Sequence, residues 1–220
     1  MSTSGTISVG SGSAQRTPPR RVLMAGWGSL TLTSAAVAAA AAAAAFTLWG
    51  AGLSGPLAMQ GSARGTALVL LALAVPTVAV SAALAWRGST RAIICWAGGL
   101  AYLLYNAVLL LLLTPFNRYF LIYVGLLSTS LWALVAVLRA VDVPLLSASA
   151  GPGLRRRTIA GFVLVVVVLN ALAWLGQIVP ALTASDPTVA LSGTGVMTNA
   201  VWIQDLAVWL PVAGAGAIWL

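Results

Sequence analysis

Six apolar runs, at about residues 24–53, 66–86, 92–113, 120–138, 158–179 and 199–220, make up most of the chain, and only the last holds a charged residue, Asp205. Each run is long enough to cross a hydrocarbon core of ~30 Å as a helix rising ~1.5 Å per residue. In lipid, a helix satisfies every backbone polar group within one segment, so runs of this length predict transmembrane helices. Composition agrees: 60% of residues are hydrophobic, 6% are charged and the mean hydropathy is +1.02, whereas a soluble domain carries about a quarter charged residues. The expected fold is an all-α integral membrane bundle of six helices, forming one domain over 24–220. Residues 1–23, rich in Ser, Gly and Thr and ending in Pro18-Pro19-Arg20-Arg21, read as a disordered cytoplasmic tail.

The first run follows basic residues and contains Ala-x-Ala triplets, as a signal peptide does. A cleavable core spans ~7–15 residues, and this run is about twice that, so it is expected to stay as a span. Pro76 falls near the middle of the second run as a candidate kink. Thr114–Tyr119 (TPFNRY) predicts a tight reversal, Gly151-Pro152-Gly153 a break in a longer loop over 139–157, and Pro180 the end of the fifth span.

The net charge of +8 comes from 11 arginines against Asp142, Asp186 and Asp205. The arginines flank the apolar runs rather than forming one basic face, so they are topology signals and not a nucleic-acid surface. With the N-terminus inside, Arg16, Arg20, Arg21, Arg87, Arg91, Arg139, Arg155, Arg156 and Arg157 are cytoplasmic and only Arg64 and Arg118 lie outside. This bias predicts both termini in the cytoplasm. Arginine without lysine, with abundant Ala and Gly, points to a high-GC bacterial genome and hence to a bacterial inner membrane.

The chain contains no His and no Glu, and Cys95 is its one cysteine. That inventory excludes an intrachain disulfide, a Cys/His zinc site, Ser–His or Cys–His nucleophile pairs and a His-ligated haem. Nor does the sequence carry a phosphate-binding loop or a dinucleotide-binding glycine motif. No enzymatic role, cofactor or metal is expected. Cys95 itself is expected to be a small buried packing residue.

Polar residues inside apolar runs need a partner or a water-filled cavity. Asp205, about one turn into the sixth span beside Gln204, suits a proton, a cation or a cationic substrate; at that depth it also suits contact with interfacial water or pairing with Arg118. Asn106, Asn117, Arg118, Tyr119, Gln177 and Asp205 all fall in the outer half, which predicts a polar pocket opening outward. The competing reading is that the amides only join helices. Asn170 and Gln177, seven residues apart with Trp174 between them, share a helix face. Arg155, Arg156 and Arg157 suit anionic lipid headgroups, or act only as topology determinants. The alanine run Ala38–Ala45 either permits close helix approach or is compositional drift. Trp27, Trp49, Trp86, Trp132 and Trp219 lie near span ends, as interfacial anchors do.

Tyr105-Asn106, then Thr114-Pro-Phe-Asn-Arg-Tyr-Phe-Leu-Ile-Tyr123, and Gln204-Asp205-Leu206 followed by Pro211 resemble a family of uncharacterised bacterial multi-pass membrane proteins. In those proteins a Phe-Asn turn leads into a Phe-Leu-x-Tyr helix and a late Leu-Asp-Leu precedes a proline. They continue past the last span into a basic Trp-containing segment, so the resemblance implies a chain that once extended beyond Leu220. The resemblance implies no substrate or reaction. Two functions are therefore expected from the residues: a small-solute transporter or sensor with an outward-facing pocket, or a structural subunit packing on a membrane-protein partner or another copy of itself.

Overall fold

A computed structural model describes residues 26–50, 53, 57–114, 116–150, 155–186, 189 and 199–219. The tail expected over 1–23, including Arg16, Arg20 and Arg21, lies outside them. The described residues are helical almost throughout and form no β-strand: α1 (Trp27–Leu48), α2 (Leu57–Val69), a π-helical segment (Leu70–Ala74), α3 (Val75–Trp86), α4 (Thr90–Leu113), α5 (Phe120–Ala140), α6 (Val143–Ala150), α7 (Arg156–Thr183), α8 (Ala200–Ile203), a second π-helical segment (Gln204–Trp209) and α9 (Leu210–Trp219). Six continuous helices among them are long and apolar enough to cross a membrane, the second running Met59–Trp86 and the sixth Ala200–Trp219.

The core is built from small residues at heptad spacing. On α1 the buried positions are Ser29, Thr33, Ala36, Ala40, Ala43, Ala44 and Thr47, a 3.5-residue repeat that draws one narrow stripe. The stripe packs on α5, whose buried positions Tyr123, Leu126, Ser130, Ala133 and Val137 repeat in the same way. The alanine run thus serves close helix approach, as small residues do in membranes. Helix α4 contributes Ile93, Trp96, Leu100, Leu103, Ala107 and Leu110. The Trp96 indole donates to Thr33 Oγ1 (3.2 Å), and that hydroxyl donates to the Ser29 carbonyl (2.7 Å). Gly99 is needed where α3 meets α4, because a Cβ there would stand 2.6 Å from Val78 Cγ2.

Between α3 and α4 the reversal takes only three residues. Gly88 adopts φ +94° and closes α3 with its N–H on the Ala85 carbonyl (2.9 Å), a backbone that favours glycine. Ser89 then caps α4 by accepting from the Ala92 N–H (3.4 Å). Helix ends meet at both faces of the bundle: Trp27 lies against Trp86 (5.3 Å) at one, and Phe46 stacks on Tyr119 (4.3 Å) at the other.

The two π segments share one cause. Pro76 comes two residues after Ala74, and Pro211 two residues after Trp209. A proline ring clashes with the carbonyl four residues back and leaves it without its N–H. Widening the preceding turn relieves the clash. The kink expected at Pro76 takes this form.

Several boundaries differ from the sequence reading. The second span begins earlier, with α2 at Leu57. Pro180 lies inside α7, which continues to Thr183; in the final turns the proline removes one backbone bond without ending the helix. The 139–157 connection contains α6, begun by Asp142 Oδ1 accepting from the Leu145 N–H (3.0 Å). Gly151-Pro152-Gly153 lies outside the described residues. Cys95 is exposed on α4 rather than buried: the heptad stripe through Ile93 and Trp96 turns position 95 outward.

Helices α1 to α5 hold the buried cluster. Helix α7 packs on α9, where Val167 lies against Gly214, and none of the residues in its most apolar stretch is buried. The sixth span reaches the first four through α8 and the π segment that follows, against α4.

Candidate functional site: a buried carboxylate where three helices meet

Asp205 is 4% exposed and Gln204 is 8% exposed, although both are in a helix that is mostly exposed further on. Their burial follows from the widened turn: Gln204 and Asp205 open the π segment, which offsets the helix ahead of Pro211 and turns both toward α4 and α7. Trp174 of α7 donates its indole N–H to Asp205 Oδ2 at 2.8 Å. The Tyr105 hydroxyl of α4 is directed at the same carboxylate. Gln204 Nε2 donates to the Tyr105 backbone carbonyl at 3.2 Å, and the Tyr105 ring meets Trp209 edge-on at 5.5 Å.

The satisfaction of this cluster is incomplete. Asp205 Oδ1, Gln204 Oε1 and the Trp202 indole N–H are buried with no hydrogen-bond partner. A buried carboxylate oxygen without a donor is costly, and among the described residues the hydrogen bond to Asp205 comes from an indole and not from an arginine. The arrangement therefore leaves a buried carboxyl group with one acceptor still open, in surroundings of Tyr105, Trp174 and Trp209.

The other residues expected in an outer pocket are placed differently. Asn106 is buried, but its Nδ2 donates to the Tyr102 carbonyl of its own helix (2.8 Å). Asn117 Oδ1 accepts from the Tyr119 N–H (2.9 Å) and fixes the turn into α5. Arg118 lies over the Tyr119 ring, 5.4 Å from its centre, and not against Asp205. Gln177 is exposed on α7. Of the five, Asp205 alone belongs to the three-helix cluster.

Tyr105, Trp174 and Trp209 belong to the site but were not among the pocket residues expected from sequence. One signal was available: Trp174 and Trp209 stand well inside their spans, where interfacial anchoring does not account for an indole. Arg155, Arg156 and Arg157 are exposed at the start of α7, three cations at a helix N-terminus, where the dipole disfavours them. No group of three or more His, Cys, Asp or Glu side chains that would hold a metal is found among the described residues.

Comparison with protein-family models, with curated proteins and with solved structures gives no match.

Proposed function

We propose that the protein transports or senses a small solute through the Asp205 site, without catalysing a reaction. The observation that supports this most directly is the buried carboxylate itself, held by Trp174 and faced by Tyr105, with one oxygen open. Intramembrane acids are expensive and mark pathways or ligand sites more often than plain packing. A π-helical turn at the same residues adds to the argument, since such turns recur at functional positions.

The setting we propose is a bacterial inner membrane with both termini cytoplasmic. Arg87, Arg91, Arg139 and Arg155–Arg157 are exposed near one set of helix ends, against Arg64 and Arg118 at the other, and the richer end is assigned to the cytoplasm. The Arg155–Arg157 triplet would there contact anionic headgroups.

The test is a ligand screen on the purified full chain in detergent, read as thermal stability. A solute that raises the unfolding temperature of the native protein and leaves Asp205→Asn unmoved supports the site. If every stabilising solute acts equally on both, the site is wrong. The second reading, an assembly subunit, is favoured by a separate observation: among the described residues, nothing buries the most apolar stretch of α7.

A further inference from the structure

Two amides on α7 have no partner among the described residues. Asn170 is exposed and sits at the centre of the helix, 14 residues from Arg156 and 13 from Thr183. It makes no hydrogen bond, whereas Asn106 satisfies itself on the Tyr102 carbonyl. Gln177, seven residues further on, is likewise exposed and unbonded. With Val166 and Ala173, both exposed, they form a stripe spaced four, three and four residues apart, the seam of a two-helix coiled coil. The stripe runs beside the line that faces the sixth span, formed by Val167, Ala171, Trp174, Ile178 and Ala181. It thus stays open after α7 has packed on α9.

Lipid cannot hydrogen-bond an amide at mid-span, and water is excluded there. A second protein surface has to supply the partner. We infer that this surface is α7 of a second copy of the chain, related by a two-fold axis along the membrane normal, so that Asn170 meets Asn170 and Gln177 meets Gln177.

The choice of a second copy rests on hydrogen-bond complementarity. A primary amide carries both donors and an acceptor, so two identical amides satisfy each other in their ordinary neutral state, which two carboxylates or two arginines cannot do. A two-fold axis brings each residue to its counterpart at the same depth. An unrelated partner would need two polar groups at matching depth and spacing; another copy has them by construction. One Asn at an inward heptad position also fixes helix register and pairing. The Arg155–Arg157 triplets would approach one another at one end of the pair, in the aqueous layer where salt screens them.

Full-length protein labelled at its native Cys95 with donor or acceptor dye, reconstituted into lipid vesicles, reports association by energy transfer as lipid is added. Native protein is expected to show transfer well above random proximity. Asn170→Leu, which is easier to hold in lipid than Asn, should weaken association at least tenfold, and Asn170→Gln should largely keep it. In a Cys95→Ser background, Ala173→Cys should form a covalent dimer on oxidation and Leu172→Cys, on another face, should not. A monomeric native protein, transfer unchanged by Asn170→Leu, or cross-linking at both cysteines alike would overturn the inference, the first result leaving α7 to a different membrane protein.

Discussion

The indole of Trp174 and the carboxylate of Asp205, 31 residues apart in sequence, meet at 2.8 Å and join α7 to the sixth span. Because Asp205 Oδ1 has no donor, this bond carries a large part of what stabilises the buried group. Trp174→Phe keeps most of the ring volume and removes the donor. It is expected to destabilise the protein by ~1–3 kcal/mol, the range for leaving a buried acceptor without its donor. In a double-mutant cycle with Asp205→Leu the two losses should not add, since either change removes the same bond. Additive losses in mixed-micelle unfolding would show that the pair contributes nothing jointly.

A steric prediction concerns adjacent glycines on α4. A methyl at Gly99 would stand 2.6 Å from Val78 Cγ2, while a methyl at Gly98 meets nothing within 4 Å. Gly99→Ala is therefore expected to destabilise by ~1–3 kcal/mol through overpacking. Gly98→Ala should be neutral or slightly stabilising, since alanine is the better helix former by ~1 kcal/mol. Equal effects at the two positions would mean that α3 and α4 are not in close contact at Val78.

The relay from Trp96 through Thr33 to the Ser29 carbonyl makes a third case. Thr33→Val is nearly isosteric and leaves a fully buried indole N–H without its acceptor, a loss of ~1–3 kcal/mol. Thr31 is exposed and its hydroxyl bonds only within α1 (3.0 Å to the Trp27 carbonyl), so Thr31→Val should change stability by less than ~0.5 kcal/mol. A Thr33→Val protein as stable as the native one, with unchanged Trp emission, would contradict the relay.

Apolar length made the six helices legible, because hydrocarbon thickness fixes it and each residue contributes independently of its neighbours in space. Pro180 misled because a proline near a helix end removes a bond that the last turn can spare. The start of α2 was missed because Gln60 to Gly65 look like loop, yet they continue a helix already under way. The site was legible only through Asp205. Membrane half fixes depth but not direction around the helix axis, so Asn106, Asn117 and Arg118 were grouped with Asp205, whereas Asn106 bonds to the Tyr102 carbonyl, Asn117 accepts from the Tyr119 N–H and Arg118 lies over the Tyr119 ring. The Asp205 neighbours depend on how α4 and α7 are rotated against the sixth span, and the contact between Gln204 and Tyr105 spans 99 residues of sequence. The Asn170–Gln177 face was readable throughout, since it lies within one helix.

Pro211 carries the last prediction. The π segment that begins with Gln204 and Asp205 ends two residues before it, at the offset by which Ala74 precedes Pro76. If the ring of Pro211 holds the turn open, Pro211→Ala restores an N–H for the Ala207 carbonyl and lets the helix tighten. Losing the extra residue in that turn would rotate the segment before it by about 100°, one residue's share of an α-helical turn at 3.6 residues per turn. Asp205 would then turn away from Trp174. The coupling measured between Trp174→Phe and Asp205→Leu should accordingly fall toward zero in the Pro211→Ala background, and any solute binding that depends on Asp205 should weaken with it. Full coupling in that background would mean that packing against Tyr105, and not the proline, keeps the turn wide.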